Sequence, residues 1–147
     1  MKNIVLCVDL REESLNTLKT VSKKIDMTGA KIHLVHAFEI QAGVMEFATF
    51  VYPTEEQYPE IEKSVMELLG TLQKDLGLSD DRVEKHCYFA HSKEVAVKDY
   101  LDSKKADLVV LATRGKHGLE GFFASSLADY LCKYSPCDVL VLRPHSK

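Results

Sequence analysis

Between Leu111 and Leu131 the chain reads LATRGKHGLEGFFASSLADYL, leaving an apolar run, passing Gly115, Gly118 and Gly121, and reaching Ser125 and Ser126 where a helix begins. Glycines and serines ahead of a helix are residue types that hold a phosphate. Glycine lets the backbone approach an anion closely, and a helix N-terminus offers unpaired N–H groups and a dipole that favours negative charge. Arg114 and Lys116 add cations that can meet such an anion, although solvation is the commoner fate of charged loop side chains. The same residues also read as a turn and a cap. Ser126 followed by Asp129 fits a capping box, worth about 1 kcal/mol with no ligand at all. Cap alone, or cap plus phosphate contact, both stand at this point.

No arrangement in the chain argues for catalysis. There is no serine elbow, no HExxH pair and no GxxxxGK[S/T] loop, since Lys116 follows Gly115 at once. Cys7, Cys87, Cys132 and Cys137 form no CxxC pair and have no histidines at zinc spacing, so neither metal nor disulfide is expected. Cys7 and Cys87 lie in apolar runs and read as reduced core thiols. A net charge of -3 without a Lys/Arg run gives no footprint for nucleic acid. No apolar run approaches the roughly 18 to 20 residues that span a bilayer, and Asp9 and Arg11 interrupt the first one before a signal-peptide core forms. The expectation is a cytoplasmic protein. With 147 residues, 46% of them hydrophobic, the chain suffices for one domain over 1–147.

The elements that must hold these loops alternate. Asn3 to Val8 predicts a strand, and Glu13 to about Met27 a helix with Leu15, Leu18, Val21 and Ile25 on one face. Lys31 to Phe38 predicts the second strand, Ile40 to Pro59 an irregular stretch, and Ile61 to Leu76 a long amphipathic helix closed by Gly77. The second half continues with strands at Val83 to Phe89, Asp107 to Ala112 and Val139 to Leu142, separated by helices at Lys93 to Lys104 and Ser126 to Tyr134. Strands that are apolar throughout are covered on both faces, which predicts a doubly wound α/β domain with a five-stranded parallel sheet and four helices. Ligands of such sheets bind beyond the C-terminal strand ends, where the strand order reverses. That selects Asp9 to Glu13 and Thr113 to Ser125 as site loops.

The run IVLCVDLREESLNTL resembles the opening of the universal stress protein family, and LVVLATRGKHGLEGFFASSLADYLCKYSPCDVLVLRP resembles its closing segment. The resemblance implies an adenine nucleotide alpha-hydrolase-like fold with sheet order 3-2-1-4-5, placing the first and fourth strands side by side. It also implies a cytoplasmic stress-response module that binds ATP, with Mg if bound, and signals by binding, with at most slow hydrolysis. ATP-binding members carry G-x2-G-x9-G-(S/T), which falls here on Ala112, Gly115, Ser125 and Ser126. Asp9 matches an acidic position near the nucleotide, its other role being to brace the following loop. His36 and Ala37 lie where members set backbone against adenine, and Arg114 where a cation can meet phosphate. The implied nucleotide site is therefore Asp9, Ala37, Ala112, Arg114, Gly115, Ser125 and Ser126.

Two motif glycines are replaced, by Ala112 and Ser125. At about 1 to 2 kcal/mol for each, ATP affinity falls by on the order of thirty- to a thousandfold. The alternative is thus the family's non-ATP-binding branch, acting as a dimeric protein-interaction module toward an unknown partner. Phosphate-receiver and ATP-sulfur-transfer domains share the alternation, but the third strand ends in CYFAHS without an acid and the first is followed by DLREES without a glycine-rich loop. Val44, Met45, Phe47, Phe50, Val51 and Tyr52 make the 41–53 stretch unusually apolar, fit to fold over a base as a lid or to pack against the domain or a second subunit. The last strand, Val139, Leu140, Val141 and Leu142, lies on an edge in the family's order, so a homodimer through it is expected.

Overall fold

The computed structural model describes residues 2–113 and 126–144. Along the chain lie β1 (Asn3–Cys7), α1 (Glu12–Leu18), β2 (Lys31–Glu39), β3 (Gln41–Met45), β4 (Ala48–Tyr52), α2 (Tyr58–Asp75), β5 (Val83–Ala90), α3 (Lys93–Ser103), β6 (Leu108–Ala112), α4 (Ser126–Tyr134) and β7 (Asp138–Leu142). Five strands form one parallel sheet in the order β5-β2-β1-β6-β7. With the β3–β4 pair set aside, this is the expected 3-2-1-4-5.

Alternate residues of a strand point to opposite faces, and here both faces are covered. Leu6, Ile32, Leu34 and Val110 pack with Leu18 and Val21 and with Val65, Leu69 and Leu72 of α2. Val5, Val35, Val109 and Leu111 pack on the other face with Val97 and Leu101 of α3 and Leu131 of α4. Double coverage is why β1 and β6 are apolar at nearly every step. Full burial of a side chain such as Leu69 stabilises the fold by about 1.5 to 3 kcal/mol.

Cys7 is buried, and burial pushes its thiol up to about 12; Cys87 is half-buried and pushed up to about 11 for the same reason. Both therefore behave as inert thiols packed in the domain. No helix among the described residues is long and apolar enough to cross a membrane.

Two stretches differ from the sequence expectation. The first helix stops at Leu18 and tightens to a 3-10 turn over Lys19–Lys23. The Thr20 hydroxyl donates to the Thr17 carbonyl at 2.7 Å, and Thr17, Thr20 and Val21 are β-branched, both of which weaken helix propagation. α2, by contrast, closes at Gly77 as expected. Gly77 takes φ +67°, its N–H donates to the Lys74 carbonyl, and the Leu78 N–H donates to the Gln73 carbonyl, a Schellman stop.

The second difference lies in 40–59, where an irregular stretch was expected and a hairpin is found. β3 and β4 pair antiparallel from Gln41↔Tyr52 to Met45↔Ala48. The Phe50 ring lies across Gly43, where an added Cβ would stand 2.5 Å from it. The hairpin's apolar side chains do not pack into the domain: Val44 is 82% and Phe47 93% exposed. Its base is tied down instead, through the Phe38 and Tyr52 rings at 6.5 Å and the Ile40 N–H on the Ala90 carbonyl at 2.7 Å.

Candidate functional site

Strand order reverses at β1, which lies between β2 and β6. The register Cys7↔Val35 and Cys7↔Leu111 brings the ends of β1 and β6 level with Val35 of β2, with Asp9 and Ala112 just beyond. Val35 is the last β2 residue with a β1 partner, so Ala37 belongs to a part of β2 paired only with β5, opposite Tyr88. Asp9, Ala37 and Ala112 therefore lie at one end of the sheet. Ser126 opens α4 in the connection that follows β6. Arg114, Gly115 and Ser125 lie outside the described residues.

Asp9 braces its loop. Its Oδ1 accepts the Arg11 N–H at 3.2 Å and its Oδ2 accepts the hydroxyl of buried Ser14 at 3.3 Å. These bonds fix the carboxylate just before α1 and leave acceptor capacity on both oxygens. His36, whose side chain carries no role in the sequence reading, reaches across from β2. Its Nδ1–H donates to the Val8 carbonyl at 2.7 Å, fixing the chain immediately before Asp9. Burial pushes the His36 imidazole pKa down, opposed by that bond and by the Asp9 charge, so the neutral ring is the form the fold favours.

Ala112, the last residue of β6, is buried and pairs with Leu142. Ser126 is the first helical residue of α4 rather than the residue before it, so it does not hold the cap position that a capping box with Asp129 requires. Its hydroxyl donates to Glu94 Oε2 at 3.0 Å, and Asp129 Oδ2 lies 3.5 Å from Lys133 Nζ, one turn further on.

Sequence reasoning missed the acids that line this end. Glu94 Oε1 also accepts from the Ser92 hydroxyl at 3.4 Å, while Ser92 caps α3 by accepting the Val95 N–H at 3.2 Å. Glu39, at the end of β2, accepts the Lys93 N–H at 3.2 Å. The Ser-x-Glu start of α3 was a readable helix-start signal, but its contact with Ser126 spans 32 positions and needed the fold. An open cleft of about 440 Å³ borders the Asp9 to Glu13 loop, lined among the described residues by Glu12, Glu13, Thr17, Thr20, Arg143 and Pro144. Its described lining reaches the end of that loop without including Asp9, Ala37, Ala112 or Ser126.

The profile described as the universal stress protein family matches residues 1–143. A protein described as a universal stress protein in Staphylococcus aureus strain USA300 is 29% identical over 97% of this chain and 84% of its own. Among solved structures, a universal stress protein in complex with cAMP superposes with a TM-score of 0.67 at 18% identity, covering 98% of each chain. The universal stress protein from Archaeoglobus fulgidus in complex with dAMP does so with a TM-score of 0.64 at 16% identity, covering 97% of this chain and 98% of that one. These structural likenesses are likenesses of fold.

Proposed function

The chain belongs to the universal stress protein family, and from that premise we propose that it is a nucleotide-binding module that takes an adenine nucleotide such as ATP, with Mg when bound, and signals by binding rather than catalysis. The observation that carries this is the arrangement at the strand reversal: Asp9, Ala112 and Ala37, in the stretch of β2 that runs on past β1, lie at one end of the sheet, and the connection after β6 leads to the start of α4. That is where open parallel sheets take ligands. Members of the same fold are described with cAMP and with dAMP, which supports an adenine nucleotide as the ligand class. Asp9 would meet the ribose, Ala37 would offer backbone to the base, and Ser126 would meet phosphate, with Arg114, Gly115 and Ser125 completing the expected set. We place the protein in the cytoplasm as a stress-response homodimer joined through β7.

A second reading is favoured by the hairpin. Phe47, Val44 and Met45 are exposed on an element that packs little against its own domain, as a dimeric protein-interaction module would present them. One experiment separates the readings: denature the purified protein, analyse the released small molecules, then titrate ATP with Mg by calorimetry. The nucleotide reading expects released adenine nucleotide or saturable heat. Absence of both, with heat appearing only in the Ala112→Gly/Ser125→Gly protein, would establish the interaction module.

A further inference from the structure

We infer that the outer edge of β4 is a strand-addition site for another protein, one that offers an extended apolar segment with lysine or arginine at both ends. This rests on the reading of the hairpin as an interaction surface and is independent of nucleotide binding. A two-stranded sheet on its own is marginally stable in water and gains from a third strand. β4 pairs with β3 on one side, and among the described residues its backbone makes no bond on the other. Thr49, Phe50, Val51 and Tyr52 are strong strand formers, whereas β3 holds Gln41 and Gly43, so β4 is the better template for an added strand. The register sets Met45, Phe50 and Tyr52 on one face, the one Tyr52 presents to the Phe38 ring, and Ala42, Val44, Thr49 and Val51 on the other. All four of the second set are exposed and none is charged, so an added strand extends an open apolar face.

Charge decides the occupant. No lysine or arginine occurs from Ile32 to Glu62. Glu46 lies in the hairpin turn, and Glu55 and Glu56 follow the far end of β4; all three are exposed and without an ion pair among the described residues. Uncompensated negative charge therefore brackets β4. A segment that pairs with β4 sets its own ends beside those acids, which favours cations there and an apolar run between them of five residues, the length of β4. A second copy is disfavoured, because antiparallel pairing of β4 with itself puts Glu46 of each chain beside Glu55 and Glu56 of the other. The same acids repel anionic lipid.

The test follows the fluorescence anisotropy of synthetic peptides added to the intact protein: an alternating valine and threonine run flanked by lysines, the same run flanked by glutamates, and the lysine peptide with every amide of the run N-methylated. Sedimentation mass and association with phosphatidylcholine vesicles are measured alongside. The lysine peptide is expected to bind about tenfold or more tighter than the glutamate peptide, with an affinity that falls as salt rises. N-methylation, which removes the backbone donors, is expected to weaken it about tenfold or more. Glu46→Lys/Glu55→Lys/Glu56→Lys is expected to invert the ranking of the two flanked peptides, and Val44→Ser/Val51→Ser to weaken both. Each variant alters exposed side chains only, and circular dichroism checks that the fold is kept. Equal binding of both peptides, or binding untouched by N-methylation, with loss in Val44→Ser/Val51→Ser, would overturn the basic strand partner and leave the hairpin as an interaction surface. No peptide binding, with a dimeric mass or a vesicle association that Val44→Ser/Val51→Ser abolishes, would give that surface to a second copy or to lipid instead. Peptide binding that no hairpin variant alters, or no hairpin-dependent binding to peptide, copy or vesicle, would overturn both the proposal and the hairpin reading.

Discussion

His33 is the one histidine buried in full among the described residues, at 1% exposure, and its partners come from three elements. Nε2 lies 3.1 Å from Asn3 Oδ1 and Nδ1 2.7 Å from the Tyr100 hydroxyl, so a proton on Nε2 donates to Asn3 while Nδ1 accepts from Tyr100. Glu84 lies 3.1 Å from Nδ1 and favours the charged ring, whereas burial, Lys104, His86 and Lys31 disfavour it; burial is the largest effect and the pKa falls. His36 and His86 are pushed down too, burial again leading, and His86 Nε2 is buried with no hydrogen-bond partner. A lowered folded-state pKa means that the unfolded chain takes up protons first as pH drops. Stability is therefore complete above the unfolded histidine pKa of about 6.5 and declines below it. Urea midpoints measured between pH 8 and pH 5 are expected to fall on the acid side, with a shallower fall in His33→Gln; a flat profile would contradict this. A second residue-scale expectation concerns Ala112 and Ser125. Restoring glycine at both is expected to strengthen ATP binding by on the order of thirty- to a thousandfold by calorimetry, and Ala112→Gly alone is expected to cost about 0.5 to 1 kcal/mol of stability, since Ala112 is a buried strand residue.

α2 and the β3–β4 hairpin contribute oppositely at the level of elements. α2 presents Val65, Leu69 and Leu72 to the sheet, all nearly fully buried, and Leu69→Ala is expected to lower unfolding free energy by about 2 to 5 kcal/mol in denaturant titration. The hairpin shows Phe47 to solvent, so Phe47→Ser is expected to change stability by no more than about 0.5 kcal/mol while removing the side chain that a protein partner would grip. The sequence announced α2 because burial on one face imposes spacings of three and four, and it announced the sheet because two-sided burial removes polar residues from the strands. It did not announce the hairpin, whose side chains bury little within this chain and so carry no pattern tied to a core. The site divides in the same way. Asp9 and Ala112 were legible because strand ends locate them, whereas Glu94 on Ser126 and Glu39 on Lys93 join residues 32 and 54 positions apart, which no local pattern reports.

The sheet leaves two open edges in the molecule as a whole, β5 and β7, and they are not equally hazardous. β5 carries Glu84, Lys85 and His86 along its length, and charge on an edge discourages another strand from adding. β7 has Asp138 at its start and then only Val139, Leu140, Val141 and Leu142, the last buried and the middle three half-buried. An apolar edge of this kind is a template for pairing. In the proposed homodimer a second copy would close this edge, since antiparallel addition about a two-fold axis uses one surface twice and leaves no apolar edge to propagate. Sedimentation equilibrium is therefore expected to give twice the 16.6 kDa of the chain. Val141→Lys places a charge in the middle of that edge and is expected to yield a monomer that retains native circular dichroism. Val141 also packs against the sheet face shared with α3 and α4, so some loss of thermal stability accompanies it. A mass unchanged by Val141→Lys, or a wild-type monomer at high concentration, would move the interface away from β7 and make the hairpin the next surface to test.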